Sequence, residues 1–212
     1  MEDTAYIFLN GIMNAKSSFY KEILKDKKNI FCADGGLKYA LEIGVVPLEI
    51  WGDLDSVDKS LVEKAQREGS KVVEFDSRKD FTDGELILSE IAKRDFKKVV
   101  VFGGLGGRTD HLLTNLNLLF KFENVVFVDE KETIFKVKNK TEIKGEKGKT
   151  ISFIPMSDVV YGITLKGFEY PLNNYTVKRG QSICTSNIIK SDCAVVEFEE
   201  GKLLGIIENK FV

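Results

Sequence analysis

Loops rich in carboxylates follow apolar runs in the first part of the chain. The clearest is GDLDS at residues 52–56, directly after the run LEIW. Asp53 and Asp55 lie two residues apart, so an extended backbone points both side chains the same way. Carboxylates this close repel each other, and Mg²⁺ relieves the repulsion while it also binds substrate phosphates. The competing interpretation is a turn closed by Asp53, with Asp55 or Ser56 capping the next helix.

Two further loops carry carboxylates in the same position relative to an apolar run. Asp34 precedes two glycines, and the later segment KDFTDGE begins at Lys79. In that segment Asp83 can face a metal ion while Lys79 reaches a phosphate. Thr82 begins the T-x-x-E pattern of a capping box, which fits the start of a helix and is compatible with a site beside it. An ordinary turn is the competing interpretation for Asp34.

A glycine-rich segment, GGLGGRTDH at residues 103–111, follows the apolar run 99–102. Its four glycines let backbone N–H groups approach an anion, and Arg108 can bind a phosphate with two hydrogen bonds. A simple strand-to-helix turn is the alternative, with Asp110 as the N-cap of the helix. His111 is the single histidine of the chain, which excludes a site built from several histidines, and we expect it to be structural.

Periodicity places these loops at one edge of a sheet. Apolar runs alternate with helical patterns, as is typical of a parallel α/β sheet. The loops follow the carboxyl ends of the predicted strands, where open α/β sheets bind ligands. The predicted strands are 6–9, 30–33, 48–51, 71–75, 99–102 and 125–128, and the predicted helices lie near 17–25, 36–43, 58–68, 83–94 and 110–121.

The pattern changes after about residue 133. Apolar and charged residues then alternate with a period of two, and glycines separate the short runs, which is typical of antiparallel strands. We therefore predict an α/β domain, residues 1–132, with a mostly parallel sheet flanked by helices. An antiparallel β-sandwich, residues 133–212, follows it.

The composition excludes several classes of protein. A formal net charge of −2 over 212 residues gives no general attraction to nucleic acid or acidic membranes. The three cysteines lack a CxxC spacing, which argues against both a disulfide framework and a zinc site. Apolar runs stay below the roughly 18 residues of a membrane span. We expect a cytoplasmic protein without nucleic-acid or membrane partners.

The motifs together, rather than any one of them, carry a family resemblance. The chain resembles the thiamine pyrophosphokinases, which transfer a pyrophosphoryl group from ATP to thiamine and release AMP. The resemblance spans nearly the whole chain, and it implies a nucleotide-binding α/β domain, a thiamine-binding β-sandwich and a homodimer with sites at the subunit interface. The motifs that match in order are DGG at 34–36, GDLDS at 52–56, DFTD at 80–83, GGLGGRTDH at 103–111 and TSN at 185–187.

The resemblance also implies roles for individual residues. Mg²⁺ would be held by the four aspartates Asp34, Asp53, Asp55 and Asp83. The co-substrate ATP would contact Asp34, Gly35, Lys79, Thr82, Gly104, Gly106, Gly107 and Arg108. The catalytic group would be Asp83, Arg108 and Asp110, and thiamine would lie near Asp110, Ser186 and Asn187. An aromatic contact to thiamine is expected towards the C-terminus, where Tyr170 and Phe211 are candidates.

Other functions fit parts of this pattern. A DxD pair also serves metal-dependent glycosyltransferases and phosphohydrolases, and a nucleotide or thiamine sensor would bind the same ligands without turnover. These classes differ in their products, because only pyrophosphate transfer gives AMP together with thiamine diphosphate.

Overall fold

The computed structural model describes residues 3–14, 16, 18–54, 57–74 and 81–209. The chain divides into two compact units, Met1–Glu130 and Lys131–Val212. None of the helices in the described ranges is long and apolar enough to cross a membrane.

The first unit contains six parallel strands, and strands and helices alternate along the chain, as predicted. The strands are β1 (Thr4–Phe8), β2 (Ile30–Ala33), β3 (Glu49–Gly52), β4 (Lys71–Glu74), β5 (Lys98–Phe102) and β6 (Val125–Val128). Their spatial order is β6, β5, β1, β2, β3, β4. The helices are α1 (Ser18–Leu24), α2 (Gly36–Ile43), α3 (Lys59–Arg67), α4 (Asp83–Ile91) and α5 (Thr109–Leu118).

The centre of this sheet is buried on both faces. The apolar side chains of β1 and β5 are shielded from solvent, which explains the unbroken apolar runs in the sequence. Phe102 packs on Phe8 with ring centroids 5.2 Å apart and meets Tyr20 edge-on at 5.5 Å. Burying one such phenylalanine contributes about 1.5–3 kcal/mol. Phe102, the last residue of β5, is thus packed in the core directly before the glycine-rich segment.

Helix starts correct some of the sequence interpretations. The N-cap of α3 is Asp58, whose side chain accepts a hydrogen bond from the Ser60 amide; the sequence suggested Asp55 or Ser56, which lie outside the described residues. The N-cap of α5 is Arg108, which places Asp110 inside the first turn rather than at the cap. The α4 and α5 helices also end earlier than predicted, at residues 91 and 118.

The second unit contains antiparallel strands only, among the residues that the structure describes. The strands are β7 (Glu132–Val137), β8 (Lys140–Lys144), β9 (Thr150–Pro155), β10 (Val159–Lys166), β11 (Leu172–Lys178), β12 (Asn187–Ile188), β13 (Cys193–Glu197) and β14 (Leu203–Glu208). One four-stranded group runs in the order β12, β9, β14, β7, and a separate four-stranded sheet in the order β11, β10, β13, β8. The inward-facing residues of these strands form an apolar core, which confirms the predicted sandwich.

Candidate active site

A cavity of about 340 Å³ lies in the first unit where the carboxyl ends of its strands meet. Open α/β sheets bind ligands at this edge because the loops and helix N-termini converge there. The cavity is lined by residues 9–12 after β1, 33–34 at the end of β2, 82–84 at the start of α4, 103 and 106–108 after β5, and His111 and Asn115 of α5.

The backbone of the 9–12 loop packs directly on the glycine-rich loop, residues 103–107. The Gly11 amide donates a hydrogen bond of 2.9 Å to the Gly103 carbonyl. A Cβ atom at Gly11 would lie 2.2 Å from that carbonyl oxygen and 2.6 Å from the Gly106 carbonyl oxygen. Gly103 itself has a φ of 68°. Neither position accommodates a side chain, so these glycines are needed for backbone packing as well as for any ligand.

The three glycines of the glycine-rich loop that are predicted to contact ATP divide into two groups. Gly106 and Gly107 line the cavity. Gly104 is not among the lining residues. A Cβ there would lie 2.4 Å from the ring of Phe127, a fully buried residue of β6. The structure therefore gives Gly104 a packing role, whereas the other two remain candidates for phosphate contacts.

Asp34 lines the cavity at the end of β2 and is 7% exposed. Its backbone has a left-handed φ of 46°, which aspartate tolerates better than most residues, and its amide donates to the Trp51 carbonyl at 2.7 Å. Gly35 follows as the N-cap of α2 and is not a lining residue. A Cβ at Gly35 would lie 2.3 Å from the Asn10 side chain, so its smallness lets Asn10 lie across the start of α2.

The GDLDS segment is described in part. Gly52 ends β3, and a Cβ there would lie 3.3 Å from the Asp34 carboxylate, so the turn after β3 begins beside Asp34. Asp53 is exposed and is not among the cavity-lining residues. Asp55, predicted to bind the metal ion with Asp53, lies outside the described residues.

Thr82 and Asp83 are brought into the cavity by the start of α4. The Thr82 hydroxyl accepts a hydrogen bond of 3.2 Å from the Glu85 amide, which confirms the predicted cap. The Glu85 carboxylate accepts a hydrogen bond of 2.5 Å from Lys121. The glutamate of the T-x-x-E pattern is therefore used in an ion pair outside the capping box. Lys79, predicted to reach a phosphate, lies outside the described residues.

Arg108 lines the cavity and forms a two-pronged ion pair with Asp110. Its Nε donates to Oδ1 at 3.1 Å and its Nη2 to Oδ2 at 2.6 Å. The side chains are 74% and 63% exposed, so solvent screens the pair and we assign it little stability. Arg108 thus lines the cavity, whereas the carboxylate paired with it does not.

The same ion pair decides what Asp110 can do as a base. Hydrogen bonds from Arg108, and then from the His111 amide, lower the pKa of Asp110 to about 2. A carboxylate with so low a pKa is ionised throughout the neutral range and is a weak proton acceptor there. The catalytic role predicted for Asp110 remains a prediction, and this environment argues against Asp110 acting as a base that deprotonates a substrate hydroxyl.

Sequence reasoning missed Asn10 and Asn115 and undervalued His111. Arg108, His111 and Asn115 recur at intervals of three and four, so one face of α5 runs along the cavity. Asn115 is 8% exposed, and its Nδ2 donates to the Gly104 carbonyl at 2.9 Å. The spacing of these three residues along the helix was the signal that could have identified this face. His111, which was expected to be structural, lines the cavity.

The acidic residues of the cavity suit a hard cation. Asp34 and Asp83 both line it, and Mg²⁺ commonly takes one or two carboxylates together with substrate phosphates and water. Within the described residues, no three histidine, cysteine or acidic side chains gather into a metal site by themselves. The pair fits a magnesium ion that arrives with a phosphate ligand, and the predicted set of four aspartates remains a prediction.

Ser186 and Asn187 lie in the second unit and differ in their surroundings. Ser186 is exposed and has a left-handed φ of 57°. Asn187 is 2% exposed, and its amide is used by the backbone: Oδ1 accepts from the Tyr170 and Ile188 amides, and Nδ2 donates to the Tyr170 carbonyl at 2.7 Å. Asn187 therefore holds the backbone of Tyr170, whose side chain is 61% exposed. Phe211 lies outside the described residues.

Comparison with known proteins gives matches to both units. Residues 20–128 match the family model described as thiamin pyrophosphokinase, catalytic domain. Residues 132–203 match the model described as thiamin pyrophosphokinase, vitamin B1 binding domain. The thiamine pyrophosphokinase of Bacillus subtilis (strain 168) is 31% identical over 179 residues, which cover 82% of this chain and 84% of that protein.

Solved structures agree with these matches. The crystal structure of thiamine pyrophosphokinase from Bacillus subtilis superposes with a TM-score of 0.84 at 28% identity, covering 98% of this chain and all of that one. The thiamin pyrophosphokinase from Geobacillus thermodenitrificans gives a TM-score of 0.83 at 29% identity, covering 97% of each chain. The similarity thus extends over nearly the full length of these proteins.

The hydrogen bonds of Asn187 lead to a stability prediction. Asn187→Ala leaves part-buried backbone groups of Tyr170 without their partners, so we expect the free energy of unfolding to fall by about 1–3 kcal/mol. Urea unfolding measures this change. Ser186→Ala is the adjacent control, and because Ser186 is exposed we expect a change within about 0.5 kcal/mol. Equal stability of the two variants would contradict a structural role for Asn187.

Proposed function

Because the chain belongs to the thiamine pyrophosphokinase family, we propose that the cavity of its first unit is where pyrophosphate passes from ATP to the hydroxyl of thiamine. The products of the enzyme are thiamine diphosphate and AMP. One observation supports the location above all: carboxylates that follow two different strands line one cavity together with Arg108 and glycines of the loop after β5. The DxD glycosyltransferase, phosphohydrolase and sensor alternatives are not favoured by the family matches.

In this reaction the protein positions the two substrates and does not need to form a covalent bond with either of them. The hydroxyl oxygen of thiamine forms a bond to the β-phosphorus of ATP, and the bond between that phosphorus and the oxygen bridging to the α-phosphorus breaks. AMP leaves with the bridging oxygen and its electron pair, and the hydroxyl proton is released. Such transfers are accelerated mainly by alignment and by neutralising charge on the phosphoryl oxygens.

We propose that Asp34 and Asp83, together with Asp53 and Asp55 of the GDLDS segment, would hold the Mg²⁺ that accompanies ATP. When bound, the ion neutralises charge on the phosphate oxygens. Asp34 contributes from a buried position whose backbone is fixed by the Trp51 carbonyl, and Asp83 from the first turn of α4. These two carboxylates are placed by different elements, so the distance between them depends on the packing of the sheet edge.

Arg108 supplies the positive charge of this proposal. Its guanidinium is exposed and paired with Asp110, so an incoming phosphate group can replace that carboxylate without a buried charge being left alone. Gly106 and Gly107 offer the adjacent backbone, and the N-terminus of α5 adds partial positive charge. Asp110 then acts as the residue that holds Arg108 in place before the nucleotide binds.

For the second unit, residues 133–212, we propose thiamine contacts and dimerisation. The family model that matches it is described as a vitamin B1 binding domain. Ser186 is exposed and free to contact a ligand, whereas the Asn187 amide holds the backbone that carries the exposed Tyr170. We therefore propose Ser186 and Tyr170 as contacts to thiamine, with Asn187 positioning Tyr170.

We expect Asp83→Asn to lower turnover by on the order of 10² to 10³, because it removes a preorganised charge from the cavity. Arg108→Ala should have a similar effect. The assay supplies ATP, Mg²⁺ and thiamine and measures AMP and thiamine diphosphate. Glu90→Gln is the matched control: it makes the same exchange in α4, at a surface pair with Lys93, and should leave turnover unchanged.

Two results would contradict this assignment. Near-normal turnover in both cavity variants would show that the chemistry lies elsewhere. Formation of ADP or free phosphate by the unaltered protein, without thiamine diphosphate, would contradict pyrophosphate transfer itself. Circular dichroism of each variant separates a loss of activity from a loss of fold.

We also propose that the protein is a cytoplasmic homodimer. Exposed tyrosines of the second unit, Tyr161 at 46%, Tyr170 at 61% and Tyr175 at 38%, provide aromatic surface of the kind enriched at interfaces. The described cysteines are free thiols, as expected in a reducing compartment. Sedimentation equilibrium should give twice the chain mass of 23.9 kDa, and a mass of one chain at working concentration would contradict the dimer.

A further inference from the structure

Asn115 is a buried polar residue on the cavity wall that the proposed chemistry does not yet use. It is 8% exposed, lies on the cavity-facing side of α5 and sits deeper than Arg108 and His111, which are exposed. Burying an amide is unfavourable unless its donors and acceptors find partners. What its two ends contact therefore indicates what the residue does.

The orientation of the Asn115 amide is fixed by chemistry. The group facing the Gly104 carbonyl at 2.9 Å must be the NH₂ end, because a carbonyl oxygen only accepts hydrogen bonds. The opposite end, Oδ1, lies towards the first turn of α4, where a Cβ at Gly84 would be 3.6 Å away. Oδ1 accepts no hydrogen bond from the residues that the structure describes.

The location of Oδ1 limits what can bind it. Gly84 follows the cavity carboxylate Asp83, and Gly104 belongs to the glycine-rich loop beside Arg108. The triphosphate proposed for this region carries acceptors only, which an amide oxygen would repel. An amide oxygen accepts hydrogen bonds or binds a cation. Since the carboxylates Asp34 and Asp83 are proposed to hold the Mg²⁺, the group expected at Oδ1 is a hydrogen-bond donor.

We propose that Oδ1 of Asn115 accepts a hydrogen bond from the hydroxyl of thiamine and so orients the attacking oxygen. This inference rests on the proposed function, in which that hydroxyl must reach the phosphates in the same cavity. An amide oxygen does not remove the proton, so Asn115 orients the alcohol and leaves it protonated until transfer. Its Nδ2 donates to the Gly104 carbonyl at the same time, so one side chain contacts both the alcohol and the glycine-rich loop.

A ligand lacking one group provides the test. The comparison uses thiamine and an analogue with an ethyl group in place of the hydroxyethyl group, each bound in the presence of Mg²⁺ and α,β-methylene ATP, which blocks transfer. The ratio of their dissociation constants isolates the hydroxyl. We expect the unaltered enzyme to bind thiamine about tenfold more tightly, the effect of one neutral hydrogen bond.

In Asn115→Ala the ratio should fall to about one. Loosening of the loop affects both ligands and cancels in the ratio, so a merely structural role leaves it unchanged. Asn115→Asp keeps an acceptor and should preserve the ratio even if both ligands bind more weakly. Asn117→Ala is the matched control, since this exposed asparagine of the same helix bonds only to its own helix through Leu113 and should keep the tenfold ratio.

Several outcomes overturn the inference. A ratio of about one in the unaltered enzyme does so even if neither Asn115 variant folds. A tenfold ratio that persists in a folded Asn115→Ala protein also overturns the inference. If that variant in addition needs more Mg²⁺, the donor to Oδ1 is a metal-bound water instead of the thiamine hydroxyl. Failure of the unaltered protein to make thiamine diphosphate would overturn the proposed function instead, and is measured separately.

Discussion

The site depends on backbone packing between two loops that leave no space for side chains. The 9–12 loop and the glycine-rich loop approach until the Gly11 amide meets the Gly103 carbonyl at 2.9 Å. Contacts this close fix loops that would otherwise sample many conformations, and glycine is required on both sides. The buried cluster of Phe8, Tyr20 and Phe102 anchors the strands that carry these loops.

The chemistry follows from that packing. Because the glycine-rich loop is fixed at its start by Phe102 and along its length by Asn115, the helix after it presents Arg108 at the mouth and Asn115 deeper in. Arg108 and Asp110 form an ion pair in which a phosphate group can replace the carboxylate. They do not serve as an acid and a base for proton transfer. Family membership and cavity geometry thus point to a reaction carried out by alignment and charge.

Sequence patterns predicted the elements well and the side-chain partners poorly. Strands β2 and β6 and helix α2 fall at the predicted bounds, since apolar runs and helical spacing record burial directly. Asn115 was missed because one asparagine in a helix of mixed polar residues and leucines looks ordinary until its burial is known. Asn187 was predicted to lie near thiamine, and nothing local to it indicated that its amide forms hydrogen bonds to residue 170. Long-range contacts of this kind leave no local signal.

The dependence on backbone packing is tested most directly by kcat/KM for pyrophosphate transfer in Gly11→Ala. The added methyl group must displace the glycine-rich loop, and misplacing reacting groups by about 1 Å costs roughly 10²-fold. Gly44→Ala is the control: Gly44 does not line the cavity, and a Cβ there meets nothing within 4 Å, although its φ of 94° disfavours a side chain. The account predicts a roughly hundredfold loss for Gly11→Ala and an unchanged kcat/KM for Gly44→Ala. A Gly11→Ala enzyme as active as the unaltered protein would contradict it.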